Sequence, residues 1–175
     1  MEKRNNGERR ILSVLVENKF GVLSRVAGLF SGRGYNIESL SVAPTEDPTL
    51  SRMTIVTNGS EDFLEQIYKQ LNKLIDVIKV VDTSSENHVD REMVLVKVRA
   101  DASVRADIIR AADIFKGNII DASAKTCTIE VTGDEGKIEA FIDLLTSFGI
   151  LEIARTGKVA ISKGPRTLNP GRRKP

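Results

Sequence analysis

The chain holds one cysteine, one histidine and no tryptophan, and its aromatics amount to two tyrosines and six phenylalanines. The lone Cys127 excludes an internal disulfide, which points to a reducing, intracellular and cytoplasmic setting. The lone His88 has no carboxylate or cysteine set at ligand spacing around it, so neither a metal centre nor histidine-based catalysis is expected. No apolar run approaches the roughly 20 residues of a membrane span or the pattern of a secretory leader. With 41% hydrophobic residues and few rings, the core must be aliphatic. Charge of one sign is also scarce. The net +2 is misleading, because Lys163, Arg166, Arg172, Arg173 and Lys174 in the last thirteen residues meet no acid and leave −3 over residues 1–162. A slightly acidic body has no electrostatic footprint for nucleic acid.

What is present centres on Asn18-Lys19-Phe20-Gly21-Val22-Leu23 and its echo Gly34-Tyr35-Asn36-Ile37. Ile11, Leu12, Val14, Leu15 and Val16 read as a strand before the first segment. Val22, Leu23, Val26, Leu29 and Phe30 recur at helical spacing after it. A strand-to-helix turn of this kind presents unpaired backbone N–H groups at the positive end of a helix, where a carboxylate or phosphate can dock. Gly21 admits a ligand without a Cβ in the way. The simpler reading is that Gly21 only permits the turn and Asn18 closes it locally. Asn36 has the same simple reading, a turn asparagine satisfying nearby backbone.

Along the chain, strands are expected at 37–42 and 53–57. They are joined by a long loop with Pro44 and Pro48, which forbid continued pairing. A helix with Leu64, Ile67, Tyr68, Leu71, Leu74 and Ile75 on one face follows, with Ser60 as its N-cap, and then a strand at 77–81. After a polar linker the order repeats: a strand at 93–98, a helix stopping at Gly117, strands at 119–124 and 127–131, a helix ending at Gly149, and a last strand over 152–161. Cys127 shares the inward face of its strand with Ile129 and Val131, as a core thiol would.

Two βαββαβ units give an α+β fold of two tandem ferredoxin-like domains, each with helices on one face of an antiparallel sheet. The expected divisions are a loose start over 1–9, domains at 10–82 and 92–162, a linker at 83–91 and a disordered basic tail at 163–175. Ile11 and Leu15 are apolar on the sheet face that should be wet, so another domain or another chain must cover them. Strand 37–42 should lie at a sheet edge, and nothing before Pro44 blunts it against pairing.

The wording of residues 11–57, above all GLFSGRGYNIESL and TEDPTLSRMTI, closely resembles the amino-terminal ACT domain of acetolactate synthase (acetohydroxyacid synthase) regulatory small subunits. The resemblance continues through Arg91-Glu92-Met93-Val94-Leu95 to about Ser162. It implies a non-catalytic chain that activates a thiamine-diphosphate catalytic large subunit and confers valine feedback inhibition on branched-chain amino-acid synthesis. Thiamine diphosphate, a divalent metal and FAD are then expected on that partner, and no cofactor on this chain. It also implies a homodimer formed edge to edge through ACT domains, with the effector at the seam. Asn18 and the backbone of Gly21, Val22 and Leu23 would hold the amino acid's carboxylate. Asn36 and the backbone of Ile37 from the second chain would meet its ammonium group. An apolar pocket separates ligands differing by one methylene by only ~1–3 kcal/mol, so leucine and isoleucine overlap with valine.

Two alternatives accompany this reading. An ACT-type sensor of a different enzyme keeps the site and changes the partner. An RNA-binding module shares the βαββαβ order, but it needs aromatic residues on strands one and three, and there are none. Gly32-Arg33-Gly34 resembles part of a dinucleotide fingerprint yet ends a helix instead of opening one. Arg25, Arg33, Asp107 and Arg110 read as solvated charges.

Overall fold

Alternation of apolar side chains makes β1 (Glu8–Glu17) the spine of the first unit, because Leu12, Val14 and Val16 point to one face and are fully buried. The computed structural model describes residues 8–168. Residues 1–7 of the expected loose start and 169–175 of the expected tail lie outside the described residues.

The chain continues through α1 (Val22–Ser31), β2 (Ile37–Pro44), β3 (Leu50–Gly59), α2 (Glu61–Leu71) and β4 (Val77–Asp82). Their strands form an antiparallel sheet in the order β2-β3-β1-β4, which places β2 at an edge. Val22, Val26, Leu29 and Phe30 of α1 and Leu64, Ile67 and Leu71 of α2 close one face over Met53 and Ile55. Each such side chain contributes about 1.5–3 kcal/mol when fully buried. Ser60 caps α2 by accepting from the Phe63 N–H. That helix ends at Leu71, earlier than the periodicity suggests, and Ile75 is 94% exposed beyond it. Pro44 pairs as the last residue of β2, which an edge strand tolerates.

Residues 83–91 do not form a free linker. Asp82 accepts from the Ser84 and Ser85 N–H groups, making a single 3-10 turn over Thr83–Ser85. Thr83 is buried with its hydroxyl 2.7 Å from that of Ser13, and β5 (His88–Arg99) begins three residues after the turn.

Residues 90–157 form the second unit, with α3 (Arg105–Ile114), β6 (Asn118–Ala122), β7 (Thr126–Gly133), α4 (Glu135–Thr146) and β8 (Ile150–Arg155). Its sheet runs β6-β7-β5-β8, the same permutation as the first. Val94, Val96, Val98, Cys127, Ile129 and Val131 meet Ile108, Ile138, Phe141 and Leu145 in its core. Lys116, at φ 52°, takes the left-handed position after α3. Gly117 is required for a different reason: a Cβ there would lie 2.7 Å from Val131 and 2.9 Å from the Glu130 carbonyl.

The strand expected over 152–161 is two strands. It breaks after Arg155, and β9 (Val159–Ser162) belongs to the first unit. There Ala160 packs with Ile11 and Val56 on the sheet face opposite the helices. The chain's own carboxy-terminal segment therefore covers part of the face that was expected to need a second domain or chain. Residues 163–168 are ordered on the same unit: the Lys163 N–H donates to the Asn87 carbonyl, and Leu168 is buried.

Candidate effector site

The turn between β1 and α1 is built around Gly21, whose φ of 81° and ψ of −6° lie in the left-handed region. No side chain caps α1 and no acid occupies its first turn, so the helix start keeps its positive end unanswered by the protein's own side chains. Asn18 is held by the β2–β3 loop. Its backbone N–H donates to the Thr49 carbonyl at 2.7 Å and its Nδ2 to the Pro48 carbonyl at 2.9 Å. That loop is braced by Asp47, which accepts from the Thr49 N–H at 2.9 Å and the Thr49 hydroxyl at 2.6 Å. The hydroxyl first and the N–H second hold the Asp47 carboxyl below the usual carboxylate range.

Val22 is buried in the core, whereas Leu23 is 45% exposed and Phe20 is fully exposed at the tip of the turn. Both present apolar surface beside the helix start. Arg25 is exposed, as expected of a solvated charge, but it is also paired. Its Nε donates to Asp76 Oδ2 at 2.8 Å, and Asp76 is itself buried. The Arg25 side chain leans back over the turn, as helical side chains do, and a Cβ at Gly21 would stand 3.1 Å from its Nη1. The residue-type reading missed this pair. Its partners lie 51 residues apart in sequence, so no local pattern marks it.

Asn36 follows the other end of α1. Gly34 takes φ 69°, and the Tyr35 N–H returns to the Phe30 carbonyl at 2.9 Å. Tyr35 packs edge-on against Phe63, with centroids 4.1 Å apart, and its hydroxyl donates to Gln66. The Asn36 carbonyl accepts from the Thr57 hydroxyl at 2.7 Å. Its exposed side-chain amide makes no hydrogen bond to the described residues of its own chain. Ile37 opens β2 half-buried.

Asn18, Gly21, Val22 and Leu23 thus come together, while Asn36 and Ile37 stand a helix length away. Ten residues of α1 span about 15 Å at ~1.5 Å per residue. One amino acid cannot touch both groups within a single chain.

The other chemistry-bearing residues fall outside this region. His88 Nδ1 lies 2.8 Å from the Glu86 carbonyl, and no group of metal-ligating side chains occurs among the described residues. Cys127 is buried, and that burial pushes its thiol pKa up. Asp107 and Arg110 pair on the surface of α3. No described helix is long and apolar enough to cross a membrane.

Comparison with known proteins agrees with this architecture. Residues 12–79 match the family model for the AHAS small subunit-like ACT domain, and residues 91–164 match that for the small subunit of acetolactate synthase. The chain is 55% identical over 161 residues to the acetolactate synthase small subunit of Haemophilus influenzae, covering 91% of this chain and 99% of that one. It is 52% identical to the isozyme 3 small subunit of Escherichia coli with the same coverage. The crystal structure of the acetolactate synthase small subunit from Thermotoga maritima superposes with a TM-score of 0.83 at 45% identity, over 91% of this chain and 99% of that one. With an ACT unit, a second unit of the same order and relatives aligned across nearly their whole length, the chain belongs to the acetolactate synthase small-subunit family.

Proposed function

We propose that this chain is the regulatory, non-catalytic subunit of an acetolactate synthase, raising the activity of a catalytic large subunit and imposing valine feedback inhibition. The observation that carries the effector reading is the pairing of two incomplete half-sites at opposite ends of α1. One is an uncapped helix start at a left-handed glycine, suited to a carboxylate. The other is an asparagine amide with no partner among the described residues of its own chain, suited to an ammonium group. A second copy joined through the β2 edge supplies the missing half at each end, and the exposed Leu23 and Phe20 lie where an aliphatic side chain would be received.

Valine then acts as a bridge between two ACT units. It shifts the complex only so far as it binds one arrangement of the dimer better than another. Thiamine diphosphate, the divalent metal and FAD reside on the catalytic subunit. The role of this chain is to bias that subunit's geometry.

Reconstitution with the catalytic subunit tests the reading. Asn36→Ala and Gly21→Asp should each abolish valine inhibition while activation is largely kept. Loss of activation with valine sensitivity unchanged would overturn the assignment.

A further inference from the structure

On the sheet face opposite the helices, β1 to β4 and the 159–168 segment line a half-open cavity of about 760 Å³ whose walls all belong to the first unit. This is the size of a small-molecule site. Its floor is two adjacent rows across the sheet: Ser41, Thr54, Ser13 and Val81 in one, Ala43, Arg52, Leu15 and Lys79 in the next. Val159, Ile161 and Leu168 provide apolar cover. The cover is tied down by Lys79 Nζ donating to the Thr167 carbonyl at 2.9 Å and by the Arg166–Glu86 ion pair.

Arg52 distinguishes this cavity from a packing defect. Arg10, Arg25 and Arg155 each hold a carboxylate, Asp82, Asp76 and Glu92 respectively. Among the described residues, the half-buried Arg52 donates to the Ser13 hydroxyl, at 3.0 Å, and to the Ala160 carbonyl, and to no carboxylate. Burial alone moves its pKa, downward, with no carboxylate opposing the effect. A guanidinium taken partly out of water without a counter-ion is costly, and an anion that shares the cavity removes that cost. The other charged groups in the walls are Lys79, Arg166, Glu46 and Glu86, so with Arg52 the cations outnumber the carboxylates there.

We propose that this cavity binds an amphiphilic carboxylic acid, with the carboxylate on Arg52 and an aliphatic body along Val81, Ile161 and Leu168. The site is separate from the valine seam, since it uses the opposite sheet face and needs no second chain.

Calorimetric titration of the full chain with octanoate, beside 1-octanol as the uncharged analogue, tests it. Saturable octanoate binding at one per chain is expected, with octanol and the Arg52→Gln variant each weaker by about tenfold or more, the worth of a hydrogen bond to a charged group. Gly21→Asp should bind octanoate as the wild type does, which separates this site from the effector seam. Equal binding of octanoate and octanol, or none, would overturn the proposal. If Arg52→Gln no longer unfolds cooperatively, methyl NMR of the wild type decides. Octanoate-induced shifts at Val81, Ile161 and Leu168 support the site, and shifts confined elsewhere refute it.

Discussion

Gly21 and Asn36 make different demands on the chain, and substitutions separate them. At φ 81°, with Arg25 3.1 Å from any added Cβ, Gly21→Ala should cost about 1–2 kcal/mol in urea unfolding. Asn36→Ala removes an amide with no partner among the described residues of its chain, so stability should stay within about 0.5 kcal/mol while valine binding is lost. Asn18→Ala also breaks the bond to Pro48 and should lose about 1 kcal/mol as well as the ligand. Asp47 adds a pH dependence to the loop that holds Asn18. Its folded pKa is depressed, so its contribution is complete above the ordinary value of 3.8 and fades as pH falls through the lower folded value. Amide NMR should show Thr49 exchanging faster below that point, and an unchanged Thr49 would contradict the brace. Cys127, buried with a raised pKa, should react with thiol reagents only as the chain unfolds in urea.

Elements were legible where a pattern is local. Alternation at Leu12, Val14 and Val16, the apolar face of α1 and the Ser60 cap are written within a few residues of where they act, and the structure holds all three. The end of α2 was not legible, because Leu74 and Ile75 prolong the helical period although the backbone has already turned at Asn72. Nor was the break before β9. Apolar residues recur on both sides of the break, which falls at the short polar run Arg155-Thr156-Gly157-Lys158, with Gly157 at φ 74°. Covering Ile11 and Val56 with Ala160 is a contact across more than a hundred residues, for which sequence periodicity has no signal. The glycine turn between β1 and α1 was legible from the chain, whereas the Arg25–Asp76 pair beneath it required the fold.

Within β8, Arg155 donates to Glu92 at 2.7 Å and to Glu139 at 2.8 Å, which raises its pKa further, and Glu92 is almost fully buried. Arg155→Ala leaves that carboxylate unpaired. It should destabilise the second unit by about 3 kcal/mol, discounted for the partial exposure of Arg155, in thermal unfolding. Glu92→Gln in the same background should recover part of the loss.

At the scale of the whole molecule, the proposed effector site requires each valine to touch two chains, since α1 holds the two half-sites apart. Mixing variants addresses this directly. In a heterodimer of Gly21→Asp with Asn36→Ala, one seam site carries both changes and the other carries neither. Valine titration of each variant alone should give no saturable heat. After the two are unfolded and refolded together, half the dimers are mixed and half of their sites intact, so binding should return at roughly a quarter of the wild-type stoichiometry with wild-type affinity. No recovery in a mixture shown to contain the heterodimer would contradict a shared site and place the effector within one chain.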